Sequence, residues 1–157
     1  MDKILKRSDK LAFYEIDGTY KRMRGFTDFS VSKNPTAYTR KYVDEQSERN
    51  DVVGYNPSIT FAFDRFSDDA VHSDMVSIAD TEAVGADAVR SIVIVDITKE
   101  TENGYFAQKR DFAVIPDSEG NDSDTYTYSG SLKANGAIVT GYAQTSDNWQ
   151  TVTFAEE

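Results

Sequence analysis

Apolar residues recur at every second position over much of this chain. A period of two confines such segments to β-strands with one buried face. In Ile59-Thr60-Phe61-Ala62-Phe63-Asp64 the odd positions face a core and the even ones turn away. Residues 124–134 set Tyr126, Tyr128, Gly130 and Leu132 against Thr125, Thr127, Ser129, Ser131 and Lys133, a strand with one hydroxyl-rich face. Asn135-Gly136 follows at once and predicts a two-residue hairpin, with the chain returning over 137–145. Three further segments read the same way. Residues 11–16 and 20–31 flank Asp17-Gly18, residues 90–97 and 105–115 flank Glu102-Asn103-Gly104, and a last strand spans 149–154.

One segment changes period. Over 69–80, Val71, Met75, Ile78 and Ala79 fall at i, i+4, i+7 and i+8, one face of a helix of about three turns. Ser67, Asp68 and Asp69 supply acceptors and negative charge where its first backbone N–H groups need them. His72 follows Val71 at the edge of that face, which predicts a partly buried or surface histidine rather than a ligand. The lone helix must pack its apolar face on a sheet, so the expected class is mostly β with one packed helix. Residues 32–57 read differently: a long, charged inter-strand loop with a strand candidate over 36–43. Loops of that length in compact domains are uncommon and usually functional or disordered.

The residue inventory removes most chemistry. With no cysteine there is no disulfide, thiolate nucleophile or cysteine-held metal. The single histidine has no recognisable triad or zinc spacing around it, and no Gly-rich phosphate loop occurs. The acidic stretch 117–124 lacks the ligand order of a calcium loop and reads as a solvated turn. No catalytic residue, cofactor or metal is expected, and the chain is read as a non-enzyme. The longest apolar run, Ile92-Val93-Ile94-Val95, falls far short of the ~20 residues of a membrane span. No secretory signal is visible at the N-terminus, so synthesis in a cytoplasm is expected.

A net charge of −10 opposes tight nucleic-acid binding, which depends on Lys and Arg neutralising phosphates. The basic residues around Phe13, Tyr14 and Tyr20 are diluted by Asp9, Glu15 and Asp17. The charge is also uneven. Residues 1–24 carry seven Lys/Arg against four acids, a net +3, whereas residues 111–157 carry one Lys against eight acids, a net −7. Opposite signs in one chain suit copies that meet head to tail.

A series of phrases, in order along most of the chain, resembles the tail tube (major tail) proteins of long-tailed phages and prophages of Gram-positive bacteria. They include Arg7-Ser8-Asp9-Lys10-Leu11-Ala12-Phe13-Tyr14, Met23-Arg24-Gly25-Phe26-Thr27-Asp28-Phe29-Ser30 and Ser32-Lys33-Asn34-Pro35. Further on come Arg40-Lys41-Tyr42-Val43-Asp44-Glu45, Asp51-Val52-Val53-Gly54-Tyr55, Arg110-Asp111-Phe112-Ala113-Val114-Ile115-Pro116-Asp117-Ser118 and Tyr126-Thr127-Tyr128-Ser129-Gly130.

The resemblance implies one tail tube domain over 1–157, β-sandwich or barrel-like with a single helix, an N-terminal arm at 1–10 and a stacking loop at 32–57. It implies hexameric rings stacked into a conduit for double-stranded DNA. Tape-measure, tail terminator and baseplate proteins would be its partners, and the virion tail its location. Contacts between subunits and rings are then expected from Tyr38, Arg40, Lys41, Tyr42, Asp44, Glu45, Glu48, Arg49, Asp51 and Tyr55. DNA must pass without being held, so Thr125, Thr127, Ser129 and Ser131 form a candidate lumen face, although the pattern fits an outward face equally. Two alternatives stand beside this reading. One is the inner tube of a contractile tail or phage-derived bacteriocin, and the other is a monomeric carbohydrate-binding β-sandwich.

Overall fold

The computed structural model describes residues 3–157, so the first two positions of the expected N-terminal arm lie outside it. Eleven strands and one α-helix form among the described residues. The strands are β1 (Lys10–Ile16), β2 (Thr19–Arg22), β3 (Phe26–Ser32), β4 (Pro35–Arg40), β5 (Arg49–Tyr55) and β6 (Ser58–Asp64). After the helix α1 (Ala70–Thr81) come β7 (Val89–Thr101), β8 (Gly104–Glu119), β9 (Thr127–Ala134), β10 (Val139–Gln144) and β11 (Thr151–Glu156).

Nine strands make one sheet in the order β10-β11-β2-β1-β7-β8-β9-β6-β3. β10 also pairs with β8, which closes six strands into a barrel. The length of β8 makes this possible. Its residues 105–109 carry β10, and its residues 112–119 carry β9 on the same flank. The first half of β8 therefore belongs to the barrel and the second half to a four-stranded extension β8-β9-β6-β3.

That arrangement corrects the hairpin expected at Asn135-Gly136. β9 and β10 do not pair with each other; Ala134 lies opposite Phe112 and Val139 opposite Lys109, both along β8. The Asn135 N–H donates to the Asp111 carbonyl at 2.8 Å, so the dipeptide marks the step from extension to barrel. Turn chemistry describes two residues, whereas the ladder to β8 satisfies a dozen backbone groups, and the ladder wins. Asp17-Gly18 is the turn expected, with φ of 52° and 82°, both left-handed as a tight β1–β2 turn needs.

The strand expected over 20–31 is two strands. It breaks at Gly25, whose φ is 76° and where a Cβ would sit 2.7 Å from the Phe66 ring. β2 stays in the barrel while β3 crosses to pair with β6. Trp149 is likewise in a turn, with φ 68°, and β11 begins two residues later.

Two cores result. Inside the barrel pack Leu11, Phe13, Val93, Val95, Ala107, Ala143 and Val152. Between the sheet and α1 pack Tyr14, Ile59, Phe61, Phe63, Met75, Ile78, Ile92, Val114 and Leu132. β1 and β7 face both cores, so residues 11–14 and 92–95 are continuous apolar runs within segments expected to alternate. The helix begins where expected: the Asp69 carboxylate accepts from the Val71 and His72 amides. It is stapled to the strands by Tyr14, whose hydroxyl donates to Asp74 at 2.5 Å, and by Arg90, 2.8 Å from the same carboxylate. Burial first, and Asp74 second, push the Tyr14 hydroxyl far above its ordinary pKa, so it stays a donor.

His72 is a correction. It is 0% exposed, enclosed by Phe63 and Phe66, with both ring nitrogens engaged by backbone groups.

Candidate assembly surfaces

The segment 32–57 is no irregular loop. β4 and β5 pair as a separate two-stranded ribbon, which carries the chain out of the main sheet and back between β3 and β6. A Pro35–Tyr55 pair stands at its base and an eight-residue turn, 41–48, at its tip. Its side chains are mostly exposed, among them Tyr38 at 54% and Val53 at 64%.

Near the tip, six of the ten expected contact residues come together around two guanidinium groups, those of Arg40 and Arg49. Arg40 donates to the Tyr42 hydroxyl at 2.7 Å and pairs with Asp51 at 2.5 Å, and its guanidinium lies 4.9 Å from the Tyr38 ring centroid. The hydrogen bond to Tyr42, then the one to Asp51, raise the Arg40 pKa still further. Arg49 grips Glu45 across the turn at 2.9 Å and lies over Tyr42. Lys41, Asp44 and Glu48 stand exposed in the turn, and Tyr55 is at the ribbon base, apart from this cluster. Val43, Val52 and Val53, outside the expected set, are exposed apolar side chains on the same ribbon.

The second surface is the outer face of the extension. Ser30 lies beside Thr60 and Thr60 beside Ser131; Asp28 lies beside Ala62 and Ala62 beside Ser129; Asp64 lies beside Thr127. Directly opposed residues in antiparallel strands share a face, so these side chains form one polar surface, with α1 on the other side of the sheet. Three of the four expected lumen residues, Thr127, Ser129 and Ser131, therefore lie together on it. Thr125 precedes β9, and its hydroxyl donates to Asp64 at 3.1 Å.

The extension has two open edges. β3 ends the strand order, and β8 beyond Ala113 pairs only with β9 among the described residues. Beside β3 opens a cleft of about 510 Å³ lined by Arg7, Lys10, Arg22 and Arg24, with no carboxylate in its wall. The acidic stretch 117–124, expected as a turn, is in its first three residues the end of β8 and only then a turn; the Tyr126 hydroxyl donates to its Glu119 at 2.8 Å, a bond that raises the Tyr126 pKa. Among the described residues no group of three or more His, Asp or Glu side chains is placed to hold a metal ion. Among the described residues no helix is long and apolar enough to cross a membrane.

No family model and no curated protein matches the chain. Solved structures do. A chain in the virion of a native gene transfer agent particle aligns with a TM-score of 0.62 at 15% identity, over 87% of this chain and 98% of that one. A chain in the tail of an empty gene transfer agent particle, refined with C6 symmetry, gives 0.60 at 15% identity, over 86% and 97%. A chain in the tube-terminating cap of an anti-feeding prophage gives 0.53 at 12% identity, over 93% and 94%. At such identities the likeness is one of fold, shared over most of this chain with chains of gene transfer agent and anti-feeding prophage particles.

Proposed function

We propose that the chain is a structural subunit of a tail tube, related to those of the phages and prophages its sequence phrases resemble. It assembles through the open edges of the extension into rings that stack around a DNA passage. The observation that carries this reading is the pair of edges. Along β3, β6, β9 and β8 the strands alternate in direction. The free flank of β8 in one copy can therefore take β3 of the next as another antiparallel partner, and repetition closes a continuous barrel with no exposed edge. The ring count of six rests on the C6 symmetry of the similar gene transfer agent tail.

The polar face then lines the lumen, and the β4–β5 ribbon reaches the adjacent ring with Tyr38, Arg40, Tyr42 and Arg49 as anchors. Tape-measure, terminator and baseplate proteins would meet the tube at its interior and ends. The likeness to an anti-feeding prophage chain supports a second reading of the same kind, the inner tube of a contractile or bacteriocin-like particle.

Negative-stain microscopy and sedimentation of the concentrated protein test the proposal. Hollow tubes or rings are expected. A folded protein that remains monomeric at every concentration would favour the carbohydrate-binding alternative and remove the tube reading.

A further inference from the structure

Lateral strand pairing alone does not specify which edge meets which, because backbone groups are the same everywhere. The charges beside the two edges do. The cleft at β3 presents Arg7, Lys10, Arg22 and Arg24. Arg7 is tied to β3 itself, donating to the Phe29 carbonyl at 3.0 Å and lying 5.7 Å from the Phe29 ring centroid. Acids also stand near these cations: Asp96 lies opposite Lys10 and accepts from Thr98, and Asp68 lines a neighbouring hollow with Arg22 and Arg24. Asp9 accepts from the Lys6 amide, and Asp69 caps α1, 3.8 Å from Arg24. The stretch 117–124, at the opposite edge, holds four carboxylates and no cation.

The sheet registers fix the level of each feature. Phe26 lies opposite Phe63, Phe63 opposite Tyr128, and Tyr128 opposite Glu119. The start of β3 and the end of β8 are thus at the same end of the extension, one on each flank.

From this placement and charge complementarity we infer that the basic cleft beside β3 receives the acidic stretch 117–124 of a second copy, locking the lateral junction and excluding edge-to-edge pairing of like flanks. This rests on the ring reading above. When β8 of one copy pairs with β3 of the next at the same level, Glu119 arrives at Phe26, near Arg22 and Arg24, and Asp117 arrives at Asp28–Phe29, where Arg7 is bonded. Two β3 edges brought together would instead oppose eight cations from two clefts, and two β8 edges would oppose two acidic stretches. Such like-charge contacts are strongly disfavoured.

Reversing each partner tests the lock. The variant Arg22→Glu/Arg24→Glu reverses two of the four cations and leaves the cleft with no net charge, and Asp117→Lys/Asp124→Lys likewise brings the acidic stretch to zero without touching a side chain that bonds within the chain. Each is expected to melt as a folded monomer and to need at least tenfold more protein for assembly. An equimolar mixture is expected to recover rings, because alternating copies then set either the native charges or the exchanged pairs against each other at every junction of an even-numbered ring. The chain carrying all four substitutions should also recover, and assembly of the unaltered protein should weaken as salt rises.

Either double variant assembling at the unaltered concentration would overturn the lock and leave the ring reading intact. So would a folded fourfold variant that stays monomeric. If the unaltered protein itself forms no rings, the tube reading falls, and the lock with it.

Discussion

His72 shows what a single side chain contributes here. Its Nδ1 accepts from the Phe66 N–H at 3.1 Å, and its Nε2, 2.6 Å from the Arg24 carbonyl, is then the donor. The ring stacks on Phe63 at 4.4 Å between centroids. One residue of α1 thereby fixes two bends: the break between β2 and β3 at Gly25, and the entry to the helix after β6. Replacement by Leu fills similar space but leaves a backbone donor and acceptor without their partner, a cost of about 2 kcal/mol. His72→Leu is expected to lower the urea midpoint accordingly with little change in slope. A midpoint within error of the unaltered protein would show that water substitutes freely for the ring. Nothing in the helical period distinguishes this role from a surface histidine, because the bonded groups lie 48 and 6 residues away.

At the scale of elements, the ribbon β4–β5 is the part most separable from the core. It pairs only with itself in the strand ladders and buries none of its large side chains. Deleting residues 40–52 should change the melting free energy by no more than about 0.5 kcal/mol, the range of surface changes. It should also abolish tubes while rings survive. Tubes of normal length under the electron microscope would remove the ribbon from the stacking role.

The sequence made elements legible to the extent that they were local. The alternation at 58–64, the Asp17-Gly18 turn and the Asp69 cap each announce themselves within a few residues. The Asn135-Gly136 step did not, because its outcome was decided by β8, a strand long enough to hold two partners end to end. The ribbon was half legible: charge and aromatics marked it as something other than core, while the β4–β5 pairing needed a partner 15 residues on.

For the whole molecule, the residue patterns carried the mostly-β class and the lone helix, and the resemblance a barrel-like fold, but neither which strands close the barrel nor where the two open edges lie was legible. Closure is a relation between β8 and β10, and an edge is the absence of a neighbour; neither leaves a periodic trace. The polar face of the extension is similar. Thr127, Ser129 and Ser131 were visible as one side of a strand, but their alignment with Thr60, Ser30 and Asp28 comes only with the registers.

In a closed ring this face is either the inner wall or the outer one. The helix packs on its reverse side, so if α1 is outside, the hydroxyl face is the inner wall. A wall of hydroxyls with Asp28 and Asp64 offers phosphates few counterion-releasing contacts, as a passage for DNA requires. The absence of native cysteine allows a direct test, since any introduced thiol is the sole one. Thr60→Cys in assembled tubes should react with a small maleimide yet resist a maleimide carried on a protein-sized label, whereas the monomer reacts with both. Ser77→Cys, exposed on α1, should accept both labels in either state. Should the bulky reagent reach Cys at position 60 as readily in tubes as in monomers, the hydroxyl face would be the outer wall, and the conduit would be lined by other residues.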